Sequence, residues 1–129
     1  MQTDLTFDAV PRRALTAELP MTVNLRCPPA DVYVPPHHHD WAQLAYPLRG
    51  GIRISAAGMT WLVPALRAVW IPPHIEHDLL MLGEVEFRTV YIAPEVAPLP
   101  LDACSVIEVS DLMRALFEAL SEADGDGQE

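Results

Sequence analysis

The sequence predicts an all-β barrel or sandwich followed by a single amphipathic helix, and three observations lead there. Thirteen prolines among 129 residues punctuate almost the whole chain. Between them lie short apolar runs of strand length at 21–26, 31–34, 43–48, 52–55, 59–63, 68–71, 78–82, 85–92 and 105–109, many rich in Val, Ile, Tyr or Trp and bounded by Pro or Gly. Many short strands at regular intervals with turn residues between them are the pattern of a sandwich or barrel. After Ser110 the apolar period changes from that of strands to that of a helix.

Individual elements follow from local chemistry. Gly50-Gly51 and Ala57-Gly58 suit tight turns, where the backbone needs a positive φ. Ser110 is a helix cap, and Asp111 places a negative charge in the first turn, where the helix dipole favours it. Leu112, Leu116 and Leu120 then recur at i, i+4 and i+8, with Met113 and Phe117 beside them, up to Ala123 and before Gly125. The stripe fits packing on its own barrel and packing on a second copy equally well. Glu122, Asp124, Asp126 and Glu129 alternate with Gly125 and Gly127, which reads as a solvated tail or the start of a linker. The expected organisation is a barrel over 1–109, a helix of the same domain over 110–123 and an acidic tail over 124–129. No repeat of solenoid length is present.

Composition narrows the function. Half the residues are hydrophobic, a globular proportion. No apolar run reaches the roughly 18–20 residues needed to span a bilayer, and the N-terminus lacks a basic segment followed by an apolar one, so a cytoplasmic protein is expected. Cys27 and Cys104 then read as reduced, buried thiols, with a disulfide between them the less favoured alternative. The formal net charge is −10, and every cationic side chain is Arg. Such a balance repels a phosphate backbone, so this chain alone is expected to bind no nucleic acid.

All five histidines fall in two short segments, Pro36-His37-His38-His39-Asp40 and Pro72-Pro73-His74-Ile75-Glu76-His77. Alternation along a strand points His37 and His39 to one face and His38 to the other. Two imidazoles at i and i+2 make a bidentate metal grip, and Gln43 lies four positions on. His37-x-His39, three residues, Gln43, six residues, Gly50 resembles the first cupin motif, in which two histidines and a glutamate bind a metal and a glycine closes the turn. Pro72-x-His74-x-x-His77 is similar to the second, Pro-x-Gly-x-x-His. The resemblance covers roughly residues 30–92 and implies a double-stranded β-helix, or jelly-roll barrel, with His37, His39, Gln43 and His77 at a metal. Two positions depart from the pattern. Gln43 replaces a glutamate, and a neutral amide is a weaker ligand that cannot accept a proton at neutral pH. His74 replaces a glycine, so its turn either avoids a positive φ or adopts it at a cost.

A narrower resemblance lies in His37-x-His39-Asp40-Trp41-Ala42-Gln43-Leu44, Trp61-Leu62-Val63-Pro64, and Ala68-Val69-Trp70-Ile71 running on to His77. With Tyr91-Ile92-Ala93-Pro94, Cys104 and 109–116, these look like the N-terminal domain of AraC-type transcriptional regulators. The resemblance implies a small-molecule effector and a homodimer, and with Gln43 in place of the carboxylate no catalytic residue is expected. DNA would be bound through a separate helix-turn-helix domain, expected to be missing from this chain. Zn²⁺, Ni²⁺, Fe²⁺ and Cu²⁺ all suit the imidazoles. Trp41, between His39 and Gln43, is the aromatic expected nearest the cavity, with Trp61 and Trp70 as core or walls. His74 at the pocket mouth and Arg88, if it faces inward, complete the candidate ligand-binding residues. His38 is expected to face away. The rival is a stand-alone cupin dioxygenase or isomerase, supported by three histidine ligands and opposed by the missing carboxylate.

Overall fold

A computed structural model describes residues 2–3, 15–96 and 103–123; the tail expected at 124–129 lies outside them. The elements are β1 (Gln2–Thr3), β2 (Met21–Arg26), β3 (Val32–His37), β4 (Ala42–Ala56), β5 (Met59–Pro64), β6 (Arg67–Ile71), β7 (His77–Ile92), a 3-10 turn (Pro94–Val96), β8 (Ser105–Glu108) and α1 (Asp111–Ala123). They form an eight-stranded sheet in the order β1-β3-β7-β4-β6-β8, with β2 also on β7 and β5 also on β4. All pairings are antiparallel except β1 with β3.

The long strands β4 and β7 are the spine. Runs 43–48 and 52–55, expected as two strands, are one, and so are 78–82 and 85–92. Gly50-Gly51 is therefore not a turn between strands. Gly50 has φ +77°, and a Cβ there would run into the Glu84 carbonyl oxygen. Opposite, Gly83 has φ +73°, and the register shifts on both sides of Arg49. This is a β-bulge, and it bends the ribbon while keeping it paired. Ala57 and Gly58, at φ +52° and +77°, do make the expected two-residue turn, of the type with both central φ positive, between β4 and β5.

The bulge also resets alternation along β4. Before it, Gln43 and Ala45 pair with Tyr91 and Thr89; after it, Ile52, Ile54 and Ala56 pair with Met81, Leu79 and His77. Odd positions face the interior in the first half and even positions in the second. The two halves fold over one another, because one buried cluster joins Ala45, Val69, Ile71 and Phe87 from the first half to Val32, Val34, Ile52, Ile54, Leu79 and Met81 from the second. That cluster forms the apolar part of the barrel interior.

A second cluster lies on the outer face of the first half, where Val23, Ala42, Leu44, Tyr46, Trp70, Val90 and Ile92 meet Phe117. The Tyr46 and Phe117 rings lie 5.6 Å apart. Ser110 caps α1 as expected, its Oγ accepting the Met113 N–H at 3.1 Å. The buried side of the helix is not the expected leucine stripe. Phe117 is buried and Met113 packs beside it, whereas Leu112, Leu116 and Leu120 are 70%, 52% and 37% exposed. Successive residues lie about 100° apart around a helix, so the sheet takes the stripe one position further on.

Candidate functional site

His37 reaches the interior through an irregularity. Val32 and Val34 of β3 point inward, so simple alternation would turn an odd-numbered neighbour outward. Pro35 and Pro36 interrupt the pairing instead, the register shifts between Val34 and His37, and His37 lands opposite His77. His39 follows two residues later and is buried, while His38 is exposed, as alternation predicts.

The three imidazoles converge. Ring centroids are 4.4 Å apart for His37 and His77, 5.2 Å for His39 and His77, and 5.9 Å for His37 and His39. One ligand nitrogen from each lies within 4.8 Å of the others. Each Nδ1 faces a backbone carbonyl: Pro35 at 2.8 Å from His37, Trp41 at 3.0 Å from His39, Ile75 at 2.9 Å from His77. A carbonyl only accepts, so Nδ1 carries the proton and Nε2 the lone pair. This outer layer of hydrogen bonds is what orients metal-binding histidines.

Gln43, fully buried, extends the group. Its Oε1 lies 2.9 Å from His39 Nε2, and its Nε2 donates to Thr89 Oγ1 at 2.9 Å. Oε1 and a lone-pair Nε2 are both acceptors and repel. Three states satisfy the contact: a second proton on His39, the amide turned over so that its N–H donates, or a cation held by both atoms. The residues fit a metal ion. A tetrahedral ion with nitrogens at 2.0–2.1 Å sets its ligands roughly 3.4 Å apart, inside the 4.8 Å limit within which these nitrogens lie.

Trp41 stacks on His39, with centroids 5.1 Å apart and planes 8° from parallel, and meets Tyr91 edge-on at 5.9 Å. Its Nε1 is buried with no hydrogen-bond partner among the described residues. His74 is not in the cluster. It sits on the turn at φ +69°, its side chain exposed and 3.5 Å from Asp40, and its N–H donates to the His39 carbonyl at 2.8 Å. Where the motif has glycine, this chain adopts glycine's conformation with a side chain. Arg88 is also elsewhere: it pairs with Tyr46 on the outer face, one residue out of phase with Thr89 and Tyr91. Trp70 belongs to that outer cluster, and Trp61 packs partly buried against the inner one. Both cysteines are free; Cys104 is buried, but Cys27 is exposed, contrary to expectation.

Thr22, Asn24 and Thr89 belong to the polar interior with no motif to single them out. Thr22 and Asn24, 1% and 2% exposed, pair with Tyr91 and Thr89 and share their face. In Met21-Thr-Val-Asn-Leu-Arg the alternation is plain, but it looks like a strand with its polar side in water. Only the second core, which claims Val23 from the outside, turns that polar side inward.

An antiparallel jelly-roll with imidazoles converging inside it defines a cupin. Its fold matches an RmlC-like cupin from Shewanella frigidimarina with a TM-score of 0.51, at 19% identity, over 59% of this chain and 69% of the other. It also matches Bacillus subtilis oxalate decarboxylase, described with Mn(II) centres, with a TM-score of 0.52 at 17% identity over 89% and 32%. The family model of the AraC-like ligand binding domain matches residues 19–129, and the chain belongs to that family. The HTH-type transcriptional regulator NimR of Escherichia coli is 32% identical over 87 residues, 67% of this chain, and the match spans only 32% of NimR's length. Among the described residues no helix is long and apolar enough to cross a membrane.

Proposed function

We propose that this chain is the effector-sensing and dimerising domain of a cytoplasmic AraC-type transcriptional regulator. The observation that carries the proposal is a shared wall. The first half of β4 and the facing part of β7 turn Gln43, Thr89 and Tyr91 toward the histidines, and Leu44, Tyr46, Val90 and Ile92 toward α1. A small molecule held at the cluster therefore lies one sheet thickness from the helix. The histidines supply ligand atoms, Trp41 offers an unused N–H to an acceptor on the effector, and Gln43 is held in place by Thr89.

In this reading His37, His39 and His77 hold a divalent ion through Nε2, with Gln43 Oε1 as a further ligand; Zn²⁺, Ni²⁺, Fe²⁺ or Cu²⁺ would suit them. The ion would supply positive charge and an open position for an effector atom. The barrel (1–109) and helix (110–123) act as one unit. Leu112, Leu116 and Leu120 form the contact with a second copy, and DNA is bound by a helix-turn-helix domain outside these residues, not by this acidic chain.

Sensing requires the effector to favour one helix arrangement over another, since a ligand shifts an equilibrium only by its differential affinity. Hydrogen exchange across 110–123, measured with and without a tight ligand, should change in protection. Unchanged exchange at saturation refutes the coupling. The three imidazoles also support a second reading, a stand-alone metal-dependent dioxygenase or isomerase. Against it stands Gln43, whose buried amide cannot act as the base. Steady Fe²⁺-dependent turnover of a diketone or thiol, abolished by His77→Ala, would favour the enzyme.

A further inference from the structure

A separate apolar pocket of about 120 Å³ opens beside the cluster, lined by Ala56, Ala57, Met59, Trp61, Ile75 and Cys104 with Ala103 at its rim. Ala56 and Cys104 are buried, Trp61 and Ile75 are half-buried, and Ala57, Met59 and Ala103 are exposed. Two of these residues adjoin His77 of the histidine site. Ala56 is the register partner of His77, and the Ile75 carbonyl accepts the His77 Nδ1–H at 2.9 Å. Among the lining side chains only the Trp61 indole and the Cys104 thiol have a hydrogen to donate. Burial raises the Cys104 pKa, which keeps the thiol in its neutral form and the pocket uncharged.

We infer that this pocket takes the apolar part of the effector, and that the effector is a small two-part molecule: an acceptor head for the Trp41 N–H and for a cation held by the histidine cluster, joined to one ring or a branched alkyl group of four or five carbons. The inference rests on the sensing proposal and adds the ligand class. Size sets the limit, because a dry cavity of roughly 150 Å³ lined by aliphatic and aromatic side chains accommodates benzene. A pocket slightly smaller and open on one side holds one ring and not two. Its chemistry rejects a polyol: each hydroxyl placed against Ala, Ile and Met would lose its water without regaining a hydrogen bond. Trp61 supplies a flat wall for ring contact.

Cys104 makes the pocket directly observable. In a Cys27→Ser background it is the sole thiol, and its modification by N-ethylmaleimide reports access to the pocket. Benzene and benzoate should slow that reaction at least fivefold, while acetate leaves it unchanged. Ala103→Leu, a rim substitution that fills the space without touching the core, should remove the protection. By calorimetry on the Zn²⁺-loaded protein benzoate should bind at least tenfold tighter than acetate, and His77→Ala should weaken benzoate at least tenfold while benzene still protects Cys104. If neither benzene nor benzoate slows Cys104, the pocket assignment is wrong, whatever the cluster binds. If benzene protects but benzoate is indifferent to His77→Ala, the pocket and the cluster do not serve one ligand, and the two-part effector is refuted. Equal binding of acetate and benzoate refutes the pocket and leaves sensing at the cluster intact.

Discussion

His74 sets up a test in which local strain is separated from function. Its φ of +69° lies in the left-handed region, and its side chain is mostly exposed. A non-glycine residue there costs about 1–2 kcal/mol relative to the right-handed conformation. His74→Gly removes that cost but lets the unfolded chain wander more, a loss of about 0.4–1 kcal/mol. The exposed contact with Asp40 at 3.5 Å is worth at most a few tenths of a kcal/mol. The backbone bond from residue 74 to the His39 carbonyl survives, because glycine keeps its N–H. The midpoints of these ranges sum to a stabilisation of about 0.5 kcal/mol, or roughly 2 °C in Tm for a domain of this size. Urea and thermal unfolding of the wild type, His74→Gly and His74→Ala would measure it. Alanine keeps the strain and loses only the ring, so it should match the wild type or fall slightly below. Should glycine be no more stable than alanine, the turn is not strained and the reasoning fails.

Further outcomes follow from features described above. Replacing Leu112, Leu116 and Leu120 together with Ser should convert a dimer to a monomer in light scattering with little change in Tm, since all three are exposed within one chain; a dimer that survives refutes the helix contact. Gln43→Glu should bind Zn²⁺ at least tenfold more tightly by calorimetry, because a carboxylate is a stronger ligand for a divalent ion than an amide. Zinc affinity no higher than wild type would remove Gln43 from the ligand set. Cys27 has its pKa raised, first by partial burial and then by the Glu86 carboxylate. Its alkylation should therefore rise with pH later than that of a free thiol, and Glu86→Gln should move the profile back down; an unmoved profile would show that Glu86 does not act on it.

The fold and the histidines were legible because each rests on a short-range signal. Strand runs between prolines, the Ala57-Gly58 turn and the spacing of His37, His39 and His77 are all written within a few residues. What escaped depends on partners far along the chain. Gly50-Gly51 reads as a turn until Glu84 and Gly83 are seen opposite, where the same glycines make a bulge inside a continuous ladder. The face that α1 buries is decided by Tyr46 and its neighbours, so three regularly spaced leucines lost to Met113 and Phe117. Arg88 and Thr89 are adjacent, and nothing local tells which of them the helix side will claim. Thr22 and Asn24 were disguised by a pattern that ordinarily means a wet face.

The two-sided strands have a consequence for how such a domain diversifies. Along the first half of β4, odd positions write the chemistry of the cavity and even positions write the seat of the helix. A lineage can exchange Gln43 or the residue facing it and leave Leu44 and Tyr46, and the helix they seat, unchanged. The reverse holds too: the helix seat can be remodelled under a constant cavity lining. What neither set can do alone is move the shared backbone, so only changes that displace it, such as those at the Gly50 bend, are felt on both sides at once.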